Sequence, residues 1–193
     1  DLIGADDPLD GYRLVLVPFA PILPEDFRRK CRDYAEKGGH LLTMTMAFSR
    51  DEWGSGIFEK SPVGMTDFFG MHVVEMEPVF DGQTDAPVRI GELTIRSHFW
   101  QETLESEGAE VLGVFRGTYR DGWPVLTEHP YGKGSALYLG TAPAPEDAPA
   151  LLRWLLERCG VSLPPVEMVY GLSVVTRFSE TERYIFVFNS LPR

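Results

Sequence analysis

The chain has 193 residues, 44% hydrophobic and 12% aromatic, enough to bury a core of ordinary size and unlike a disordered or fibrous sequence. A formal net charge of −11, with the basic residues scattered among carboxylates, argues against a phosphate-backbone partner, so no nucleic acid is expected. No apolar run reaches the length of a membrane span, no signal-peptide pattern opens the chain, and Cys31 and Cys159 lie outside any CxxC pair; a soluble protein with reduced thiols in the cytoplasm, without a membrane partner, is expected.

In chain order, "DLIGADDPLDGYRLVLVPFA" opens without a Met, and Leu2-Ile3 reads as the tail of a strand whose first half lies outside this sequence, as in a fragment. Residues Tyr12 to Val17 form the kind of short apolar run that becomes a buried parallel strand, closed by Pro18 and Pro21. A helix follows: Pro24 suits its first turn, Glu25 and Asp26 favour its positive end, and Phe27, Cys31, Tyr34 and Ala35 recur on one face. Gly38 and Gly39 stop it, and "HLLTMTM" is the next strand, which completes a βαβ unit. Residues 47–70 are loop-rich, with a short helix expected near Gly64 to Phe69. From Met71 to Ala142 a series of strands is expected, "HVVEMEPVF", "VRIGELTI", "AEVLGVFRGTY", "PVLTEHP" and "GSALYLGTA", with "DGWP" and "PYGKG" as turns. A helix over 146–159 should carry Leu151, Leu152, Leu155 and Cys159 on one side, and the tail should form a hairpin whose partner sheet is cut off.

None of the local patterns points to chemistry. Both cysteines lie on apolar helix faces, as core residues do, and a thiolate nucleophile needs an electropositive, partly open site. Ser49 has no G-x-S-x-G elbow around it, and "YGKGSA" has Thr127 where a phosphate loop needs its first Gly, so a hairpin turn with Lys133 in solvent is expected. The four histidines, His40, His72, His98 and His129, show no H-x-x-x-H spacing, and no metal or cofactor is expected. Glu75 and Glu77 share one face of a strand, and Asp51 and Glu52 share a loop, but nothing marks either pair as a glycosidase dyad.

The order of features is informative where the single motifs are not. "LDGYRLVLVPFAPILPEDFRRKCRDYAEKGGHLLTM", "FFGMHVVEMEPV", "HFWQETLESEGAEVLGVF" and "GWPVLTEHPYGKGSALYLGT" together resemble the trimerisation domain of glycoside hydrolase family 42 β-galactosidases. The helix ending in "GG", the W-x-E at Trp100 and Glu102, and "YGKG...YLGT" carry the resemblance most strongly, and the loop from Phe48 to Ser61 departs from it. The resemblance implies an α/β fold, flavodoxin-like and related to the class I glutamine amidotransferase three-layer sandwich, with extra strands and without that fold's Cys nucleophile. It implies a trimerisation domain over residues 1–164, followed over 165–193 by the start of a small C-terminal β-domain. In that family both catalytic glutamates lie in an N-terminal (β/α)8 barrel of about 250 residues, so no residue here is carried over as catalytic.

The implied function is association: with itself as a homotrimer, and with the parent enzyme's barrel. A threefold ring uses heterologous contacts, and the aromatic loop is the candidate for one of the two patches. Trp53 and Phe58 are the expected interface residues, whereas Phe68 and Phe69 are expected to plug the domain's own core. The same loop is expected to help wall a neighbour's sugar pocket. Two other readings remain: a free-standing amidotransferase-like enzyme, which needs a reactive thiol, and a sugar-binding module that stacks Trp53, Trp100 or Trp123 on a ring.

Overall fold

The computed structural model describes residues 1–80, 86–162 and 171–189. They fall into two compact units, Asp1–Ser162 and Leu163–Arg193.

The first unit starts with the expected βαβ: β1 (Leu14–Val17), α1 (Glu25–Glu36) and β2 (His40–Met44), with β1 and β2 parallel. Phe27, Cys31, Tyr34 and Ala35 are the buried residues of α1, so the i, i+4, i+7, i+8 stripe is the face that meets the sheet. The two glycines after it serve different ends. Gly38 takes a φ of 114°, which Gly adopts readily. Gly39 is needed for space, because a Cβ there would lie 2.2 Å from the Tyr34 ring. That ring stays in place because its hydroxyl donates to the Tyr12 carbonyl at 2.9 Å.

A short α2 (Thr66–Phe69) leads into β3 (Met71–Pro78), β4 (Pro87–Ile90), β5 (Leu93–Ser106), β6 (Glu110–Phe115), β7 (Pro124–Tyr131), β8 (Gly134–Leu139) and β9 (Thr141–Pro143), and α3 (Ala148–Arg158) closes the unit. The strands form one nine-stranded sheet in the order β1-β2-β8-β7-β6-β4-β5-β3, with β9 on β5. Only β1, β2 and β8 run parallel; the pairings from β8 out to β3 are antiparallel. The fold is therefore mixed α/β. α1 packs with Leu41, Ala136 and Tyr138 on one face, and Leu151 and Leu155 of α3 pack with Leu42, Leu137 and Leu139 on the other. Neighbouring residues of one strand point to opposite faces, so the two helices cover the parallel part from both sides.

Several expected boundaries move. Leu2 and Ile3 are not in a strand. "VRIGELTI" is broken at Gly91-Glu92 into a hairpin, with Ile90 opposite Leu93, and β5 then runs on through residues 96–106, a polar and aromatic stretch whose period did not announce a strand. "GSALYLGTA" divides at Gly140, where the Glu102 N–H donates to the Gly140 carbonyl and the Gly140 N–H to Val125. On α3, Leu151, Leu155 and Cys159 are buried, but Leu152 is exposed, one step round the helix from the contact stripe. The second unit contains the expected hairpin, β10 (Leu172–Phe178) paired with β11 (Arg183–Asn189).

"YGKG" is the β7–β8 turn, with Lys133 exposed. It abuts the end of α1: the Lys133 N–H donates to the Glu36 carbonyl at 3.1 Å, and a Cβ on Gly134 would lie 2.0 Å from the Gly39 carbonyl oxygen. That oxygen and the Ala35 carbonyl oxygen, 2.7 Å from the same Cβ position, belong to backbone and cannot swing aside. Gly134→Ala is therefore expected to destabilise the protein by about 2 kcal/mol or more, as overpacking at a fixed contact does. The urea midpoint checks this, and an unchanged midpoint would contradict the close approach.

Candidate functional site

The groups considered for catalysis are engaged elsewhere. Cys31 and Cys159 are free and buried, and burial is the main cause that pushes their thiols up, to about 12 and about 11 respectively. The Ser49 hydroxyl donates to the Met46 carbonyl at 2.8 Å. Glu75 and Glu77 both face Arg120 Nη2, at 3.5 and 2.9 Å. Arg120 is 1% exposed and also donates to Gln101, so the two carboxylates neutralise a buried guanidinium that sequence reading did not single out. Asp51 Oδ1 accepts from the Trp53 and Ser55 N–H groups and shapes a turn. His40 is within 2.8 Å of the Ser135 hydroxyl, His129 within 2.9 Å of the Phe68 carbonyl, and His72 within 2.9 Å of Glu107. Among the described residues no three His, Cys, Asp or Glu side chains come together as a metal site.

The loop after β2 is built differently from a floppy connection. It leaves the sheet through Met46 and Phe48, both with positive φ, 62° and 55°. Such backbone is costly for these residue types and persists only where surroundings enforce it. Here the buried Glu102 of β5 does so, accepting the Met46 N–H at 2.8 Å with one carboxyl oxygen and the Tyr138 hydroxyl at 2.9 Å with the other. Burial raises the Glu102 pKa above the usual carboxylate range, although both hydrogen bonds act against the shift. Ala20 and Pro21 carbonyls accept the N–H groups of Phe48, Ser49 and Arg50, Arg50 bridges to Gly56, and the Ser61 carbonyl accepts from Val73 of β3. Arg32 adds a bidentate pair with Asp67, at 2.8 Å to each oxygen, and donates to the Gly64 carbonyl.

From this pinned base the two expected contact residues point outward. Trp53 is 84% exposed and Phe58 is fully exposed. Phe68 and Phe69 are instead fully buried, in edge-to-face contact with each other and with Tyr131 and Tyr138. Beside Phe58, a cleft of about 270 Å³ has Ile57, Val74 and Met76 among its lining, and Val74 and Met76 are themselves exposed. A second apolar patch went unread in the sequence: Phe19, Ile22 and Phe99 are exposed, Phe19 and Phe99 meet edge to face at 6.1 Å, and Phe99 sits at a φ of 70° in a bulged part of β5. Neither this cleft nor the larger groove beside β1 is lined by a tryptophan.

Residues 1–162 match the model of the β-galactosidase trimerisation domain. The chain belongs to that family. It is 30% identical over 189 residues to the β-galactosidase LacZ of Heyndrickxia coagulans, covering 98% of this chain and 28% of that protein. It is 31% identical over 164 residues to YesZ of Bacillus subtilis strain 168, covering 81% of this chain and 23% of that protein. The fold is that of a solved β-galactosidase from Bacillus circulans sp. alkalophilus, with a TM-score of 0.88 at 22% identity over 98% of this chain and 29% of that one. Gan42B, a GH42 β-galactosidase from G. stearothermophilus, superposes with a TM-score of 0.81 at 20% identity over 92% of this chain and 26% of its own. The chain thus spans about a quarter of the length of these relatives.

Two outcomes follow from the buried groups. Thiols held up at about 12 and about 11 stay protonated at neutral pH, so both should react with a thiol reagent at least about tenfold more slowly in the native protein than after unfolding. Equal rates would revive a reactive cysteine. A carboxyl whose folded pKa is raised, as for Glu102, contributes stability that is full below its unfolded pKa and lost as pH rises through the folded one. Wild type should therefore lose stability relative to Glu102→Gln as pH rises above the usual carboxylate range, and parallel pH profiles would contradict this.

Proposed function

We propose that residues 1–162 are the assembly domain of a cytoplasmic β-galactosidase, holding three copies together while the galactoside chemistry belongs to the rest of the parent enzyme. The observation that carries this reading is the pair of exposed aromatics, Trp53 and Phe58, on a loop fixed by backbone hydrogen bonds, in a member of a trimerisation family. Large aromatics left in water at a rigid site are the residues that anchor interfaces when buried. A heterologous ring needs a second, different patch, and the Phe19, Ile22 and Phe99 surface supplies an apolar one.

The segment itself contributes no catalytic residue in this reading. Its architecture derives from a flavodoxin-like, amidotransferase-like sandwich; the helix-covered parallel strands β1, β2 and β8 support that, and the antiparallel strands are additions to it. The β10–β11 hairpin is the beginning of a further β-domain, a reading supported by Tyr184 to Phe188, an unbroken apolar run exposed along β11. The loop bearing Trp53 also lines a neighbouring subunit's sugar pocket.

In the full-length protein, Trp53→Ala with Phe58→Ala should raise the trimer dissociation constant by about thirtyfold or more, the effect of losing an interface anchor. Sedimentation equilibrium reads this directly. An unchanged midpoint would remove the loop from the interface, and an unchanged Michaelis constant in a variant that still trimerises would remove it from the sugar pocket.

A further inference from the structure

We infer that the connection between β6 and β7 carries a binding site for one hexose unit of a neutral galactoside, with the Tyr119 ring as its stacking surface. The backbone of this connection is closed by its own hydrogen bonds. Asp121 Oδ1 accepts the Gly117 N–H at 2.9 Å, and the N–H groups of Asp121, Gly122 and Trp123 donate to the carbonyls of Thr118, Phe115 and Arg120 at 3.0, 2.9 and 2.8 Å. Buried Arg120 then fixes the ring that stands outside it. Its guanidinium lies 4.8 Å from the Tyr119 ring centre, and the Tyr119 hydroxyl donates to Glu77 Oε2 at 2.7 Å. One face and the tip of the ring are thus engaged, yet Tyr119 is 65% exposed, so its other face is in water. Trp123, 41% exposed, meets it at 6.1 Å and stands nearly at right angles to it, with 78° between the ring planes.

A ring held in this way binds a flat apolar face at little further cost in entropy, and its surroundings select the ligand. Residues 116–123 include no aliphatic side chain. The groups beside the rings are Glu75, Glu77, Arg116 and Asp121, all partly exposed. The centre of a protein interface is depleted of such charges, and the cleft beside Phe58, with Ile57, Val74 and Met76 in its lining, fits that description where this corner does not. A hexose in its chair form has an apolar C–H face that lies flat on an aromatic ring. Its rim of hydroxyls both donates and accepts, as a mixture of carboxylates and guanidinium requires.

Charge decides against an ionic ligand. The carboxylates of Glu75, Glu77 and Asp121 exceed the guanidinium groups of Arg116 and Arg120 by one negative charge, which repels a phosphate or a uronate. The carboxylates that a cation would need are already paired with those two arginines. A neutral sugar meets neither obstacle. That the sugar is a galactoside rests on the β-galactosidase reading above.

Fluorine NMR of the full-length polypeptide carrying 5-fluorotryptophan tests the inference, with Trp123→Phe to identify the Trp123 signal. The probe is methyl β-thiogalactoside, whose thioglycosidic bond resists hydrolysis. The Trp123 signal should move saturably, with a dissociation constant in the millimolar range expected of a shallow site. Tyr119→Ala should weaken binding about tenfold or more, whereas Tyr119→Phe, which keeps the ring and loses the bond to Glu77, should stay within about threefold of wild type. A Trp123 signal that stays still up to about 100 mM probe, or that moves equally with glycerol, would overturn the site. A signal that moves on dilution of the assembly and not with the sugar would also overturn it, and would assign the corner to a contact between copies. An equal response to methyl β-thioglucoside would leave the sugar site standing and remove the galactose, the part that depends on the β-galactosidase reading. The wild-type titration and Tyr119→Phe decide the matter even if Tyr119→Ala does not fold.

Discussion

The buried carboxyl of Glu102 is the point on which the end of this domain that carries Trp53 and Phe58 depends. It sits on β5 and holds two other elements: the chain leaving β2, through the Met46 N–H, and β8, through the Tyr138 hydroxyl. A carboxyl in such surroundings is expensive unless its oxygens are satisfied, and here each accepts one hydrogen bond. Burial raises its pKa, and the interactions with Met46, Tyr138 and Thr45 act against that shift. The acid thereby replaces the regular ladder where β2 ends and the backbone enters its left-handed turn. It offsets part of the cost of positive φ at Met46, as the Ala20 carbonyl does at Phe48, at the root of the loop that displays Trp53 and Phe58.

A buried guanidinium stabilises the same margin of the sheet, where Glu77 and Gln101 pair next to Met76 and Glu102. Arg120, on the connection between β6 and β7, lies over the Tyr119 ring at 4.8 Å and under the carboxylates of Glu75 and Glu77 on β3. β3 is an edge strand, so its own ladder ties it to β5 alone. The guanidinium supplies the missing second attachment by linking β3, β5 through Gln101, and the β6–β7 connection. By contrast, pairs such as Lys60 with Glu107 or Arg116 with Asp121 are solvent-exposed and contribute little, because water screens them. The large acidic excess of the chain is therefore a matter of surface and solubility, while two buried ionisable groups settle the geometry.

These features place rigidity and exposure side by side. The parallel strands are enclosed by α1 and α3, the aromatic core of Phe48, Phe68, Phe69 and Tyr138 fills the space beneath the loop, and the residues left outside are apolar ones on fixed backbone. Burying such residues against a partner costs little conformational entropy, because the backbone that carries them is already ordered. An enzyme's nucleophile would need the reverse, a polar group kept reactive in a pocket, and both thiols here are instead buried and protonated.

The sequence by itself determined the βαβ opening, the positions of α1 and α3 and the β7–β8 hairpin. Each of these follows from interactions within a few residues: a 3.6-residue apolar stripe, a glycine stop, a turn, a spacing. The ordered set of segments also sufficed to place the chain in its family. Only the tertiary structure decided that "VRIGELTI" is a hairpin, that the polar run 96–106 is a long strand, and that most of the sheet is antiparallel, because strand pairing joins residues far apart in the chain. The same holds for Glu102, Arg120 and the Phe19–Phe99 patch. Their neighbours come from other strands and loops, so no local pattern distinguishes a carboxylate that anchors a backbone turn from the many that face water.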